Sequence, residues 1–506
     1  MLGSRPYVLA VSFITIHSSF QGSKESSTKP MSENEIKSNR RTLKFSLISS
    51  IFLFLSLISW SFSGPITSGY DSTYHLSNIW CAAGEQSGIC ENISSVSGAT
   101  EADIPSVLSL EAQSGDYTRV VLASPTKKSP FYSILNVFVT KNTTQSVLIL
   151  RIFNSFISSL VFFALLYFGT NRSRIASISA WTFTIVPIII ATLWQPNPRS
   201  WGYLSVMSSW ILLHIALSKN DFKKTKQVGL WIAFAFSLLL AFTSRIDAAL
   251  FSIFACGVVI AAHLFRKGHL KLKQFVVASS IFLTFFLLVR FLSSSIQWYT
   301  QFSFNAVFSS NQSLFVLIHL PENIADGLGL GLRYPDLGPN SIGIIGIGLY
   351  AVAITSWLLA ANRLQMLVTT SAFGFMLLAM FQIAFNWTEA NEASGVYVVA
   401  LLTVCLGFAA TYSEKINYFP STVIQRVVVI LLVSISHALT LYSKFEWSVS
   451  ESSSNDSYTK LSLNDGWWWN SAIGPNTVYL LGAFAFPAWL YASSAVVNKE
   501  PVELNS

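Results

Sequence analysis

The sequence predicts an all-α polytopic membrane protein of about twelve helices with a long first external loop. Three observations carry this. Hydrophobic residues make up 52% of the 506 and charged residues only 11%, against about 25% charged in a soluble domain. The mean hydropathy is +0.51, and 39 Phe with 15 Trp would leave a surface that water does not tolerate. The apolar runs are long enough for helices rather than barrel strands. The same figures exclude a disordered, collagen-like or disulfide-scaffold chain.

Spans are expected at 45–63, 146–168, 176–193, 201–218, 229–243, 246–265, 275–294, 343–361, 366–385, 394–412, 424–442 and 475–495. The fifth is short and meets the sixth at a polar hinge, Thr243 to Asp247. Tyr7 to Ile16 is apolar but too short to span, whereas Met31 to Lys44 reads as an ordinary cytoplasmic start. Residues 1–30 are therefore expected to be a start-site artefact or a disordered tail. The organisation that follows is a cytoplasmic tail at 1–44, a transmembrane domain at 45–495 and a second cytoplasmic tail at 496–506.

Charge orients these spans. The net charge is +8, but the basic residues sit in short clusters between apolar runs, so no nucleic-acid partner is expected. With the N-terminus inside, Arg172 and Arg174, Lys219 to Lys226, Arg266 to Lys273, Arg363, Lys415 and Arg426 all fall on the cytoplasmic side. Most acids fall outside, as the positive-inside rule requires of a plasma-membrane protein with both termini cytoplasmic. Three external loops are long, 64–145, 295–342 and 443–474, which points to an external functional end. No P-loop occurs.

Of four cysteines, Cys256 and Cys405 lie in expected spans and read as small apolar residues. Cys81 and Cys90 share the first external loop, where a disulfide is permitted; free thiols are the alternative. His75 is the only imidazole nearby, so no metal site is expected there.

Several residues could carry chemistry. Pro65 closes the first helix, and Asp71 and His75 follow four apart, one helical turn. A carboxylate at the membrane surface suits a general base or metal ligand; an N-cap Asp with an incidental His is the plainer account. In Thr243-Ser244-Arg245-Ile246-Asp247, Arg245 could clamp a phosphate or simply pair with Asp247 between two helix ends. Arg199, in the rigid turn Trp194-Gln195-Pro196-Asn197-Pro198-Arg199-Ser200-Trp201, and Arg151, early in the second span, stand at the external mouth; each could face an anionic headgroup or snorkel. The Gly-rich segment Asp326 to Asp336 lacks dinucleotide spacing and reads as a lid or re-entrant turn. Trp467-Trp468-Trp469 reads as an interfacial belt, with sugar stacking as the alternative. Asn92, Asn142, Asn311, Asn386 and Asn455 head N-x-S/T triplets.

These motifs resemble the GT-C class of membrane glycosyltransferases. Within it, the chain looks like an uncharacterised family of bacterial multi-pass proteins whose first external loop opens with a P-D-E-x-x-H motif. Asp71 and His75 match the D and H, while Tyr70 and Ser72 replace the Pro and Glu. Ser129-Pro130-Phe131-Tyr132, followed by Arg151 to Asn154, is similar to the relatives' P-x-Y and R-x-x-N elements. Ser244-Arg245-Ile246-Asp247 is similar to their S-R-x-D junction. Ser394 to Ala400 departs from them, lacking the Arg and Pro of an R-Y-x-x-P element.

The resemblance implies an inverting transfer of sugar from a polyprenyl-phosphate donor to an external glycan or lipid acceptor of the cell envelope. Asp71 would be the base, with His75 beside it. Arg245, Arg151 and Arg199 would be candidates for the donor phosphate, supported by Asp247 and Asn154. No cofactor is called for, though a divalent cation would be compatible. A transporter or lipid flippase is the competing reading, weakened by the lack of a visible repeat between the halves. A non-catalytic envelope-assembly partner is the third.

Overall fold

The computed structural model describes residues 33–65, 72–82, 90–92, 120–122, 130–140, 143–218, 224–268, 340–359, 361–386, 399–413, 422–452 and 473–497. Two units are distinguished, Met1–Arg41, whose described part is the opening of the first helix, and Thr42–Ser506, which holds everything below. Among the described residues, eight helices are long and apolar enough to cross a membrane, and three shorter apolar ones accompany them. The protein is thus a predominantly helical, membrane-embedded chain. The one sheet among the described residues is a parallel pair of three-residue strands, β1 (Cys90–Asn92) and β2 (Val120–Leu122).

Helix α1 runs Glu33–Phe62, and Ser63 and Gly64 lead out of it to Pro65, which cannot continue the ladder. A short helix α2 follows at Ser72–Trp80 and another, α3, at Pro130–Asn136. The long helix α4 is Thr143–Phe168. Thr170 then caps α5, Asn171–Thr184, in a reciprocal box with Ser173. That span breaks at Val186, which leaves helical backbone ahead of Pro187, and resumes as α6, Ile190–Leu193.

Next come α7 (Pro198–Ser218), α8 (Lys224–Ser244) and α9 (Ile246–Arg266). The remainder are α10 (Asn340–Leu358), α11 (Arg363–Asn386), α12 (Val399–Tyr412), α13 (Val423–Ser452) and α14 (Pro475–Val497). The short fifth span is in fact a full 21 residues, because polar Lys224 to Gln227 join the helix. Helix α13 likewise runs past residue 442 to Ser452, so the loop expected at 443–474 begins inside a helix. The seventh expected span, 275–294, and the segment 326–336 lie outside the described residues.

Small and hydroxylated residues form the helix contacts, as expected where lipid supplies no hydrophobic drive between helices. Ser49 of α1 meets Ser493 of α14 at 2.6 Å, and Ser61 meets Ser155 of α4 at 3.1 Å. Trp60 donates its indole N–H to Nε2 of buried His437, whose ring stacks on Phe486 at 4.0 Å. Outward, Ile424, Val427, Leu431, Ile435 and Leu439 form an exposed stripe on α13, and Val228, Ile232, Leu239 and Phe242 one on α8. Those faces are built for lipid contact.

Several helices run in parallel. Gly407 and Tyr412 of α12 lie against Trp210 and His214 of α7, in the same order along both. Tyr350 and Trp357 of α10 align with Leu402 and Ala409 of α12, the second pair bridged by the Gln365 amide. Gly202 near the start of α7 touches Ala248 near the start of α9. So α7, α9, α10 and α12 all point the same way.

Candidate functional site

At the end where α7 and α9 begin, three helices line a small, half-open cleft. Arg199, Gly202, Tyr203 and Val206 line it from one face of α7, at the spacing of a helical stripe. Arg245 and the α9 residues Asp247, Ala248 and Phe251 form the facing wall, and Ala400 of α12 completes it. Gly202 lets the two walls approach closely: a Cβ there would lie 3.1 Å from the Ala248 Cβ, tighter than ordinary contact.

Arg199 is placed by the turn before it. The Asn197 side chain accepts from the Arg199 amide at 2.9 Å, capping α7, with Pro198 at its first position. Asn154 of α4 holds that turn from both sides. Its amide donates to the Gln195 carbonyl and its oxygen accepts from the Trp201 indole at 3.0 Å. Asn154 thereby supports Arg199 without reaching the cleft.

Arg245 is a single extended residue (φ −150°, ψ 144°) between α8 and α9. Its guanidinium grips Asp247 side-on, Nε to Oδ1 at 3.0 Å and Nη2 to Oδ2 at 2.9 Å. Asp247 also accepts from the Ala248 amide at 2.8 Å. Both side chains remain partly exposed, 25% and 30%, toward the cleft they line.

Arg151 is employed differently. It is fully buried, lies 4.8 Å from the Trp194 ring centroid, and donates to the carbonyls of Ser61, Gly64 and Pro65. The first is one of the carbonyls a helix leaves without partners at its C-terminus, and the other two belong to the turn that leaves it. This arginine holds the exit of α1 as far as Pro65; it does not line the cleft.

His75 of α2 is buried and shares a 2.8 Å hydrogen bond between Nδ1 and the Tyr132 hydroxyl. Burial, then the positive charges of Arg199 and Arg245, hold its pKa well below the ordinary 6.5. The ring is therefore neutral at pH 7, and α2 lies within electrostatic reach of the two cleft arginines. Tyr132 in turn packs on Phe131, and Phe131 on Trp201 at 4.7 Å, tying α2 and α3 to the turn that carries Arg199. Asp71, one residue before α2, lies outside the described residues. Cys81 is disulfide-bonded and Cys256 and Cys405 are free thiols, while the Cys90 side chain lies outside those described. No group of three His, Cys, Asp or Glu converges among the described residues.

The cleft thus unites Arg199, Arg245 and Asp247, with His75 and Asn154 around it. Tyr203 and Gly202 were missed from sequence; the signal was their position on the same α7 stripe as Arg199. Comparison with protein-family models, with curated proteins and with solved structures returned no match.

Proposed function

We propose that the protein is a GT-C-like membrane glycosyltransferase that moves a sugar from a polyprenyl-phosphate donor to a cell-envelope acceptor. One observation carries this reading: Arg199 and Arg245, from separate helices, line one cleft at the end where α2 lies. Two guanidinium forks in a partly dry cleft suit a phosphate whose lipid tail stays in the bilayer. Asp247 orients the Arg245 fork, and Arg151 stands outside the donor set as the residue that positions the chain before Asp71.

In the proposed step, Asp71 takes the acceptor hydroxyl proton as that oxygen attacks the anomeric carbon. The bond from that carbon to the phosphate oxygen breaks, and its electron pair leaves on polyprenyl phosphate, stabilised by Arg199 and Arg245. A single displacement inverts the anomeric centre. The Ser394 to Ala400 element brings no arginine, and Ala400 adds only a methyl to the wall, so among the described residues the phosphate falls to the two cleft arginines.

The topology belongs to the same proposal. Because α9 and α10 run parallel, the chain crosses an odd number of times between them, and 275–294 supplies one crossing. That gives about twelve spans. Arg172, Arg174, Lys224, Arg266 and Arg363 all lie at the end opposite the cleft, which we place in the cytoplasm together with both chain ends, the cleft facing out of the plasma membrane. The function is tested by turnover of labelled polyprenyl-phosphate sugars in proteoliposomes. Asp71→Asn should lower turnover at least ~100-fold at unchanged expression; full activity in that variant would remove Asp71 from the mechanism.

A further inference from the structure

Residues 130–139 belong to the stretch expected as the first external loop, yet they carry no charge. Helix α3 turns Phe131, Tyr132 and Leu135 inward and Pro130, Ser133 and Ile134 outward, with Val137 just beyond its end on the same outward face. Its polar groups are spent inside. The Tyr132 hydroxyl bonds His75, and the Asn136 amide donates to the carbonyls of Ile79 and Trp80 at 2.8 and 3.1 Å, closing α2. Phe138 and Val139 donate their backbone N–H groups back to Leu135 and Asn136, both at 3.0 Å. The outward face is therefore apolar apart from the Ser133 hydroxyl, and Val137 is 81% exposed. A helix that faces water normally carries charged or polar residues on that side.

This segment also stands low on the bundle. Phe131 packs on Trp201 near the start of α7, so α3 lies at the cleft end. The Phe138 ring packs on Phe153 of α4, with centroids 4.5 Å apart. Phe153 shares a helical stripe with Ile149, Phe156 and Leu160, which are exposed on the outer flank of α4. Phe138 thus covers one step of an apolar stripe that is bare on either side of it. At about 1.5 Å per residue, Phe153 lies about 22 Å from Phe168, where α4 ends at the opposite face. The hydrocarbon layer is about 30 Å thick, so Phe153 falls within it, and Phe138 with it. Helix α3 packs on α8 as well, whose Leu239 and Phe242 are exposed in turn.

We propose that α3 and the turn after it sit in the bilayer on the cleft side, with Ile134 and Val137 against lipid acyl chains. The partner is the acyl layer of one leaflet, because the patch is uncharged and continues the lipid-facing surfaces of α4 and α8. The inward hydrogen bonds permit this, since a polar group without a partner is costly in hydrocarbon. Helix α2 inherits the placement. Its end is held by Asn136 and its His75 by Tyr132, so the leaflet that seats α3 sets the height of α2. The inference needs only a membrane-embedded chain and is independent of the glycosyltransferase reading.

The test uses the full-length protein carrying Cys256→Ala and Cys405→Ala, reconstituted in phosphatidylcholine vesicles. A bimane fluorophore is attached at Val137→Cys or, separately, at Ile134→Cys, and the protein without an introduced cysteine supplies the background. Phe156→Cys on the flank of α4 and Lys224→Cys at the exposed start of α8 are the lipid and water references. Acyl-chain nitroxide lipids should quench the labels at 137 and 134 to within about twofold of the label at 156, and aqueous iodide should quench them at least about fivefold less than the label at 224. Iodide quenching equal to that at 224 would place α3 in water and overturn the proposal. Labels shielded from both quenchers would mean that protein covers this face, which overturns it equally.

Discussion

The Arg245 guanidinium and the Asp247 carboxylate, two residues apart, form a side-on pair with contacts of 2.9 to 3.2 Å. That pairing uses the Nε edge and leaves Nη1 pointing away from Asp247. It allows Arg245 to be held rigidly and still address a ligand. The fork is what matters, because lysine would keep the charge and lose the bidentate geometry. Arg245→Lys should therefore cut turnover about tenfold or more with normal expression, read in the proteoliposome assay. Wild-type turnover in that variant would mean that Arg245 only pins the α8–α9 junction.

His75 gives a pH signature. Its folded pKa lies below the ordinary 6.5, so the neutral ring's contribution is complete above that value. As pH falls from there, the unfolded chain takes a proton that the folded chain refuses. Stability should then fall by at most ~1.4 kcal/mol per pH unit until the folded pKa is reached. Thermal unfolding of the wild type and His75→Gln across this range should show the steeper decline in the wild type. Parallel curves would show that His75 is not the group responsible.

Arg151 separates a positioning role from binding. Arg151→Met strips partners from three carbonyls at the exit of α1 and should destabilise the protein by roughly 2–4 kcal/mol. The unfolding temperature in detergent reports this. Donor binding by the remaining folded protein should be unchanged, which loss of a phosphate ligand would not allow.

Orientation is checked by reporters that work only outside the cytoplasm. Fusions after Cys90 or within 453–472 should be active, and fusions after Lys224 or Lys271 inactive. Activity at both Cys90 and Lys224 would defeat the twelve-span proposal. The same topology puts Cys81 in an oxidising compartment. Unreduced digests should link it to Cys90, the partner proposed here.

The helical, membrane-embedded architecture was legible because lipid imposes long apolar runs and segregates charge. Boundaries were less so. Polar residues such as Lys224 to Gln227, and the mixed stretch Lys444 to Ser452, continue helices that hydropathy would stop, since the backbone ladder does not depend on apolar side chains. Arg199, Arg245 and Asp247 stand out in the sequence because charge beside an apolar helix end is costly and conspicuous, and all three line one cleft. Arg151 carried the same signal for a different reason. Nothing local reveals that its partners are the carbonyls of Ser61, Gly64 and Pro65, which depend on how α1 and α4 pack. Tyr132 stood in the sequence only as part of a P-x-Y resemblance, and nothing local shows that its partner is His75, 57 residues away.

The central claim is that Arg199 and Arg245 together bind the phosphate of a polyprenyl lipid. The most direct test measures polyprenyl phosphate binding to the purified protein, with uncharged polyprenol as control. The account predicts that polyprenyl phosphate binds at least about a hundredfold tighter than polyprenol, and that the Arg199→Gln/Arg245→Gln double variant loses this difference. Equal binding of the two lipids, or undiminished phosphate preference in the double variant, would contradict it.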